Sequence, residues 1–570
     1  MRMLPLNRVI LACGVITAFC VSLAGCASGE LLRTDWISED QKTEVEDCQD
    51  QSYGPLDKEA TAAYGLEGDD KKHALDGIKK TIQTQLGDPK RGRCWRSAWE
   101  NHGSFELFST EFDDVGMATD LRKCSVRDDM LGPDSPCVRD SQLLRLYKRL
   151  DEFDCAKMEP PGDPCNKTPV NIVVFTHGWH GSASPYHWYT IGFRNMLNSI
   201  ALLEKQRAER ESDESGKKVA PRRVIGIEIA WRGDSIEHPE VLSVWDRKQA
   251  AETLSLGAVQ GLLAHMHDYY QRNSCHIDNR NLMPGDLSRC GHANMLMLGH
   301  SYGALIDFRS LVGQLASGLR IDHPSQFAYS FGDLVILVNP AFEGIRYTPT
   351  FLDAQRRVSY PMPGVVENKT GQSQLPVLVT LQSEGDTATK FWFKAFRHVT
   401  TVFDNPQTAE EETANINAVG WVDEYVTHRL VLSHSTDKYD AMLPEERAYS
   451  CRARDWSQTG FTALNGDAVF LGKGMTIKRD PGNLSSSQGA AGDDASATMP
   501  PRTIPGFPLW SVRVEKQIMT DHDDIWNKYT NDIMLQLYWT VVLQNEKVTV
   551  DFRRQQAHLS TQPLNLCPES

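Results

Sequence analysis

Residues 293–308, with the sequence ANMLMLGHSYGALIDF, constrain the fold of this chain more than any other segment. The segment opens with a short apolar run, which is typical of a strand covered on both faces. Apolar residues at helical spacing follow over 302–319. The chain must therefore turn from strand to helix within about two residues, with Ser301 at the apex of the turn.

Gly299 and Gly303 flank this serine, two positions before it and two after it. Glycines at these positions let neighbouring segments approach without a clash against a Cβ atom. The pattern G-x-S-x-G is that of a nucleophile elbow, in which a strained turn presents a serine hydroxyl above the end of a sheet. A glycine-rich turn with an incidental serine also fits this short motif, so the rest of the chain must supply a base, an acid and an oxyanion hole.

The composition narrows the class of protein. With 570 residues, 40% of them hydrophobic, the chain can bury a sizeable core as one large domain or as two to three ordinary ones. The formal net charge of −15 argues against a nucleic-acid partner, and no basic stretch reverses that view.

The N-terminal segment 1–25 is predicted to be a targeting signal rather than part of the fold. Arg2 and Arg8 precede an apolar stretch, which the sequence LAGC closes at Cys26. This arrangement resembles the lipobox of bacterial lipoproteins, and the resemblance implies cleavage before Cys26 and lipidation of that cysteine. An uncleaved membrane anchor and an ordinary signal peptide are the alternatives.

Export to the bacterial cell envelope follows from each of these readings. Ala27 stands where an aspartate would act as a retention signal, which favours the outer membrane, on its periplasmic or surface face. No other stretch of the sequence is long and apolar enough to span a bilayer.

The cysteines agree with an oxidising compartment. Ten of them follow Cys26, and an even number in an exported chain predicts disulfides, although the sequence leaves the pairing open. Short intervening loops favour three local pairs: Cys124–Cys137, Cys155–Cys165 and Cys275–Cys290. A zinc site is disfavoured because the chain has no C-x-x-C pair.

Strands alternate with helices along most of the chain, which predicts an α/β fold with a mostly parallel sheet and helices on both faces. Residues 26–104 are polar with few periodic signals and are expected to form a tether and irregular decoration. The core is expected to occupy 105–398 and, after an interruption, 506–570 with a last strand, a helix and a tail. The interruption, 399–505, is interpreted as an insertion and candidate lid, whose Gly/Ser/Ala/Pro-rich part 480–505 is expected to be flexible.

The order of these elements resembles the α/β-hydrolase fold. The phrases EFDD, HGWHG, AWRG, WDRK, GHSYG and NPAF are similar to those of a group of microbial lipase- and esterase-like α/β-hydrolases. The resemblance covers roughly residues 105–400 and 506–545, and it implies a Ser–Asp–His triad in that order along the chain. The elbow and the HG loop are specific to the fold, but they are not specific to one substrate.

A serine hydroxyl is a weak nucleophile until a base accepts its proton, and the base needs a carboxylate to orient it. The acid should follow a late core strand directly, where Asp386 lies in TLQSEGDTATKF and Glu384 is its rival. The base is predicted to be His522, whose polar loop TDHDD lies between a predicted strand and a predicted helix. The acids around this histidine would also suit a helix N-terminus, with the histidine as an inactive surface residue. Three other histidines lack the strand–loop–helix frame: His398, His428 and His434.

An oxyanion hole needs backbone N–H groups aimed at the negative charge that develops on the substrate. Tyr302, directly after the nucleophile, and Trp179, in the loop after the predicted third core strand, match the two required positions. Four nearby residues are predicted to have structural roles rather than to bind a metal: His177, His180, Asp113 and Asp114. No metal and no other cofactor is expected.

These features predict a lipid-anchored serine hydrolase that cleaves a small-molecule or lipid carboxylic ester through an acyl-enzyme. Two alternatives stay open. One is an amide or thioester hydrolase with the same triad, and the other is a non-catalytic lipoprotein that uses the scaffold for binding. The presence of candidates for serine, base and acid favours an enzyme, but the sequence does not identify the acyl group or the alcohol.

Overall fold

The computed structural model describes twelve segments of the chain: residues 31–66, 68–121, 141–155, 165–233, 240–274, 291–320, 328–359, 375–401, 404–432, 469–472, 475–479 and 507–543. Several predictions lie outside these residues: the signal segment with Cys26, His434, the 480–505 stretch, and the Cys124–Cys137 and Cys275–Cys290 pairs.

One sheet organises the described part of the chain. Its strands are β1 Trp99–Asn101, β2 Phe105–Phe112, β3 Val170–Thr176, β4 Arg223–Trp231, β5 Ala293–His300, β6 Leu334–Val338, β7 Leu378–Ser383, β8 His428–Leu432, β9 Val469–Gly472, β10 Met475–Arg479 and β11 Leu509–Val514. They lie in the order β1-β2-β4-β3-β5-β6-β7-β11-β8-β10-β9.

The eight neighbouring strands from β2 to β8 in this order run parallel. Antiparallel strands flank them, β1 on one side and β10 and β9 on the other. The carboxyl ends of the parallel strands therefore meet at one edge of the sheet, which we call the carboxyl edge. Its last strand residues are Phe112, Thr176, Trp231, His300, Val338, Ser383, Leu432 and Val514.

Helices cover both faces of this sheet. They are α1 Lys42–Cys48, α2 Gly54–Tyr64, α3 Gly68–Leu86, α4 Pro89–Arg96, α5 Gln142–Phe153, α6 Trp188–Ser215, α7 Glu240–Leu254, α8 Ala258–Ser274, α9 Tyr302–Leu319, α10 Gly344–Ser359, α11 Phe393–Thr400, α12 Ala409–Ile416 and α13 Lys528–Leu537. None of the described helices is long and apolar enough to cross a membrane.

Alternate side chains of the central strands point into two separate hydrophobic clusters. In β5, Leu296 and Leu298 pack in one cluster with residues of α6 and α13, whereas Met295 and Met297 pack in the other with residues of α8, α9 and α10. Successive strand side chains point to opposite faces, so a strand covered on both sides is apolar throughout. The prediction of an α/β fold with a mostly parallel sheet and helices on both faces is confirmed.

The N-terminal segment is more ordered than its sequence indicates. Helices α1 to α4 fill most of residues 42–96, where irregular decoration was expected. Their periodicity is weak because they bury few side chains: α3 buries only Ile78 and Ile82 among its 19 residues. The first strand, β1, also lies before the predicted start of the core at residue 105.

Two disulfides lie within the described residues. The predicted Cys155–Cys165 pair is confirmed. A second bond joins Cys48 of α1 to Cys94 of α4, across a sequence separation of 46 residues. Nothing in the sequence favoured this pairing over others, because the two helices meet only when they pack on the core.

Three described strands of the 399–505 segment, which the sequence analysis interprets as an insertion and candidate lid, belong to the sheet. β8 pairs in parallel with β11, in a register that sets His428 opposite Val512, and β10 pairs with β8. The described strands of this segment, at 428–432, 469–472 and 475–479, therefore extend the sheet. The sequence hides this because β8 has only five residues and its partner β11 follows much later in the chain.

Candidate active site

Ser301 lies at a sharp turn between β5 and α9, as the sequence predicts. Its backbone has a φ of 55° and a ψ of −119°, a left-handed conformation that L-residues rarely adopt. The Ser301 N–H donates to the carbonyl of Val338 at 3.1 Å, and the N–H of Ala341 donates to the Ser301 carbonyl at 3.2 Å. The segment after β6 thus holds the strained turn in place.

The two elbow glycines are required because other groups approach them closely. A Cβ atom at Gly303 would lie 2.1 Å from the carbonyl oxygen of Thr176 at the end of β3. A Cβ atom at Gly299 would lie 2.3 Å from a carboxylate oxygen of Asp307 in α9. Any larger residue at either position would displace backbone or a buried side chain, which explains the spacing of the motif.

The structure brings Ser301, His522 and Asp386 together in one hydrogen-bonded chain. The Ser301 hydroxyl donates to Nε2 of His522 at 2.8 Å. Nδ1–H of His522 donates to the Asp386 carboxylate at 2.9 Å. Asp386 follows β7 and His522 follows β11, and these two strands are neighbours in the sheet, two and three places from β5. The carboxyl edge therefore collects three residues that are 136 and 221 positions apart in sequence.

The surroundings of Asp386 keep its carboxyl group ionised. Burial raises its pKa, but His522 and the hydroxyl and amide of Thr389 outweigh burial and bring the pKa to about 2. The Thr389 amide donates to the carboxylate at 3.0 Å, and so does the side-chain amide of Gln382. A buried carboxylate with this many donors can orient the imidazole and stabilise its protonated form.

The pKa of His522 is raised above its ordinary value. Burial lowers it, and the adjacent Asp386 carboxylate more than offsets that effect, with a smaller contribution from Asp523. The side chain is 19% exposed, so the His522 ring is accessible at the edge of the sheet. An imidazole in this setting is suited to accept a proton, because the adjacent carboxylate stabilises the imidazolium.

The rival residues lie elsewhere. Glu384 is 40% exposed and forms an ion pair with Arg429 rather than with a histidine. His398 is exposed on α11. His428 is buried in β8, where its ring packs against Trp510 with 4.2 Å between the ring centroids. His522 is not an isolated surface residue, because it contacts both Ser301 and Asp386.

The loop after β3 lies directly beside the Ser301 side chain. A Cβ atom at Gly178 would lie 2.7 Å from Cβ of Ser301, so only glycine fits there. Trp179 follows this glycine. His180 has a φ of 64°, and its N–H donates to the carbonyl of Gly233 at 2.8 Å. On the other side of the serine, Tyr302 begins α9, where the first amides of a helix have no intrahelical acceptor. The two predicted oxyanion-hole residues thus lie on the two segments that border the serine.

His177 has the predicted structural role. Its Nδ1–H donates to the carbonyl of Gly178 at 3.0 Å, and its Nε2 accepts the backbone N–H of Trp231 at 3.1 Å. Burial lowers the pKa of His177 to about 3, so the ring is neutral. The neutral ring thus joins the loop after β3 to the end of β4.

Asp113 and Asp114 also have structural roles. Asp113 accepts the backbone N–H groups of Val115 and Met117 at 3.0 Å and 2.9 Å and so closes the turn after β2. Asp114 forms ion pairs with Arg232 and Arg247. These contacts are the turn and the salt bridge expected from the sequence.

Among the described residues, two groups of side chains could geometrically surround a metal ion: Cys155, Cys165 and His292, and His300, His522 and Asp523. The first group is unsuitable because its two sulfur atoms form a disulfide. The second is unsuitable because both nitrogens of His300 are already engaged, by Tyr189 and by the carbonyl of His522.

The sequence does not predict two further residues that lie beside His522, His300 and Asn339. Nε2–H of His300 donates to the His522 carbonyl at 2.8 Å, and Asn339 donates to the same oxygen from its side chain at 2.8 Å. The hydroxyl of Tyr189 donates to Nδ1 of His300 at 2.6 Å. The available signal is that both residues are polar and lie at or directly after the end of a buried strand, His300 in the elbow and Asn339 in NPAF.

Comparison with known proteins gives no family model that matches the chain, no similar curated protein and no similar solved structure.

Proposed function

We propose that this chain is a serine hydrolase of the α/β-hydrolase fold that cleaves a carboxylic ester through an acyl-enzyme. The observation that carries the proposal is the unbroken hydrogen-bond chain from Asp386 through His522 to Ser301 at the carboxyl edge. Nucleophile, base and orienting acid stand in the geometry that covalent acyl transfer needs.

The positions of these residues along the fold support the family assignment. The elbow follows the fifth strand, the oxyanion loop follows the third, and the acid and base follow β7 and β11. That is the chain order Ser–Asp–His expected for α/β-hydrolases. The strain at Ser301 and the close approach of Gly178 are features of a nucleophile elbow and support that interpretation over an incidental turn.

In the first half of the reaction, Oγ of Ser301 attacks the ester carbonyl carbon while its proton passes to Nε2 of His522. The backbone amides of Tyr302 and Trp179 stabilise the oxyanion. The tetrahedral intermediate collapses when the bond to the alcohol oxygen breaks and His522 returns the proton to that oxygen. Water then repeats the sequence on the acyl-enzyme, with His522 as base, and releases the carboxylic acid and free Ser301.

The cellular setting is proposed on separate grounds. The two disulfides within the described residues are compatible with an envelope or secreted protein. We place the protein on the bacterial envelope, held by acyl chains on Cys26, most readily on the outer membrane.

Labelling with a fluorophosphonate probe tests the activity without a guess at the substrate. The intact, oxidised protein should be labelled stoichiometrically, and peptide mass spectrometry should locate the adduct on Ser301. The matched control is Ser301→Ala, which should fold and stay unlabelled. No labelling of the wild-type protein would overturn the proposal and favour a non-catalytic scaffold.

A further inference from the structure

The described part of the chain begins at residue 31, and its first residues contact the carboxyl edge of the sheet. We call this contact the entry point. The backbone N–H groups of Leu32 and Arg33 donate to the carboxylate of Glu111 at 2.9 Å and 2.7 Å, and Glu111 is the second-to-last residue of β2. From there the chain runs beside Ser97, with Asp35 in a parallel bridge to it, away from the carboxyl edge. Leu32 and Arg33 therefore lie at the edge of the sheet where Ser301 lies.

This entry point is firmly fixed. The Arg33 side chain is buried, and its guanidinium donates to the carbonyl oxygens of Trp95 and Ala183 at 2.7 Å and 2.8 Å and to the Glu100 carboxylate at 2.6 Å. Ala183 belongs to the same loop as Trp179, the predicted oxyanion-hole residue. A buried arginine with these acceptors does not move independently of the core, because releasing it would leave the Glu100 charge buried without this partner.

The tether between this point and the lipidation cysteine is short. Only six residue steps separate Cys26 from Leu32, and a fully extended chain of that length spans about 20 Å at most. Acyl chains on Cys26 would thus hold Leu32, at the β2 end of the carboxyl edge, within about 20 Å of the leaflet in which they insert. A tether of this length keeps the β2 end of the carboxyl edge close to the membrane surface.

The most exposed large hydrophobic side chains lie at the same edge. Among the described residues, four such side chains are at least 60% exposed: Val115 at 62%, Leu256 at 60%, Phe391 at 62% and Trp392 at 63%. Val115 lies in the turn after β2, and that turn contacts the loop with Leu256 through a hydrogen bond from the Ala258 N–H to the Gly116 carbonyl at 2.6 Å. Phe391 and Trp392 follow Asp386 in the segment after β7.

These side chains flank the nucleophile on both sides. β2 lies three strands from β5 in one direction, and β7 lies two strands from it in the other. With strands about 4.8 Å apart, the exposed apolar residues span about 24 Å across the mouth of the site. Lys390, exposed between the aromatic rings of Phe391 and Trp421, adds a cation to this group. Aromatic and cationic side chains together are typical of a protein surface at the level of lipid headgroups.

We propose that the carboxyl edge is a membrane-contact face, and that the ester cleaved at Ser301 has acyl chains embedded in the leaflet that holds the Cys26 anchor. This inference rests on the proposed hydrolase activity and on acylation of Cys26. The short tether keeps the face near the leaflet, and the four exposed side chains enter the leaflet. An amphiphilic ester then reaches Ser301 by moving within the membrane surface rather than through water.

The test uses the full acylated protein in vesicles of phosphatidylcholine, a zwitterionic lipid, because Asp521 and Asp523 are exposed beside His522 and would be repelled by anionic lipid. Two substrates are compared: water-soluble p-nitrophenyl acetate and a fluorescent long-chain ester dissolved in the bilayer. The edge variant is Val115→Asp/Trp392→Asp. The matched control is Leu202→Asp/Leu352→Asp, on α6 and α10, at 50% and 42% exposure.

The edge variant should lose about tenfold or more in kcat/KM on the bilayer ester and stay within about twofold on the soluble ester. The control variant should stay within about twofold on both esters. Equal turnover of the bilayer ester by the edge and control variants would overturn the proposal.

A second measurement separates this proposal from the proposed function. An environment-sensitive fluorophore on Val115→Cys should shift its emission to the blue when vesicles are present, whereas the same fluorophore on Leu202→Cys should not, with unsubstituted protein as the labelling control. No shift at position 115 would overturn the membrane-contact face even in an active esterase. A shift at position 115 without turnover of either ester would support the face and overturn the hydrolase.

Discussion

The ring of His300 donates a hydrogen bond from Nε2–H to the backbone carbonyl of His522 at 2.8 Å, so one histidine holds the loop that carries another. The side chain of Asn339 donates to the same oxygen. Burial, followed by the neighbouring His522, lowers the pKa of His300 well below its ordinary value, which keeps it neutral. The position of His522 relative to Ser301 therefore depends on two donors, the side chains of His300 and Asn339.

We expect His300→Ala to slow acylation of Ser301 without removing the nucleophile, the base or the acid. The two hydrogen bonds to the His522 carbonyl clamp the loop that carries His522, and loss of one of them lets this loop shift. A small misplacement of a catalytic group costs about ten- to a hundredfold in rate. The measurement is the rate of fluorophosphonate labelling. Tyr189→Phe, which removes only the hydroxyl that orients His300, should have a smaller effect. A wild-type labelling rate in His300→Ala would show that the clamp is dispensable.

Ser301→Ala and Ser301→Gly should both abolish turnover of p-nitrophenyl esters but differ in stability. The backbone of Ser301 is left-handed, and only glycine adopts such a conformation without strain. The glycine variant should exceed the alanine variant by about 1 kcal/mol in the free energy of unfolding. Chemical denaturation of the two proteins measures the difference. Retained turnover in either variant would contradict the assignment of the nucleophile.

His522→Ala should lose orders of magnitude in kcat, because base and nucleophile act as a unit. His428→Ala is the control: it removes a ring buried in β8 against Trp510, so its effect should fall on thermal stability. His428→Ala and His434→Ala should each retain kcat within about tenfold, the equivalent of about 1.4 kcal/mol. An inactive His428→Ala or His434→Ala beside an active His522→Ala would mean that the base has been misassigned.

The pH profile should report the Asp386–His522 pair. Catalysis needs a neutral His522, so kcat/KM should rise with pH through the pKa of this residue, which the Asp386 carboxylate keeps above the ordinary 6.5. Asp386→Asn removes that charge, so the inflection should move to lower pH while the maximal rate falls by orders of magnitude. The expected direction follows from charge alone: a carboxylate favours the imidazolium, and an amide does not. An inflection that does not move in Asp386→Asn would contradict the coupling.

Cys26→Ser should release the protein from the membrane fraction or stall its processing. A single acyl chain binds a bilayer only marginally, whereas several chains hold it firmly, so loss of the acylated residue removes the anchor. Cell fractionation and the mass of the N-terminal peptide measure the two outcomes. Cys48→Ser, which breaks the Cys48–Cys94 bond instead, should lower stability and leave fractionation unchanged. A mature, lipid-modified membrane protein from the Cys26→Ser gene would contradict the lipobox interpretation.

The sequence by itself determined those features that depend on local spacing. The G-x-S-x-G turn follows from steric limits within five residues, and the apolar run before Ser301 predicts a doubly covered strand because successive side chains point to opposite faces. His522 is predicted as the base because its polar loop lies between a predicted strand and a predicted helix. Asp386 is predicted as the acid because it follows the end of a predicted strand. Each of these inferences uses neighbours along the chain, where periodicity carries the information.

Only the tertiary structure decided features that join distant segments. The contact of Asp386 rather than Glu384 with His522, the clamp by His300 and Asn339, and the parallel pairing of β8 with β11 all need strands far apart in sequence to lie side by side. The Cys48–Cys94 bond depends on helices whose weak periodicity does not reveal how they pack, and the burial of Arg33 also depends on β1 and on the loop after β3. The physical reason is that hydrogen bonds between neighbouring strands fix where each strand end lies. The local composition of a strand does not determine which strands become its neighbours.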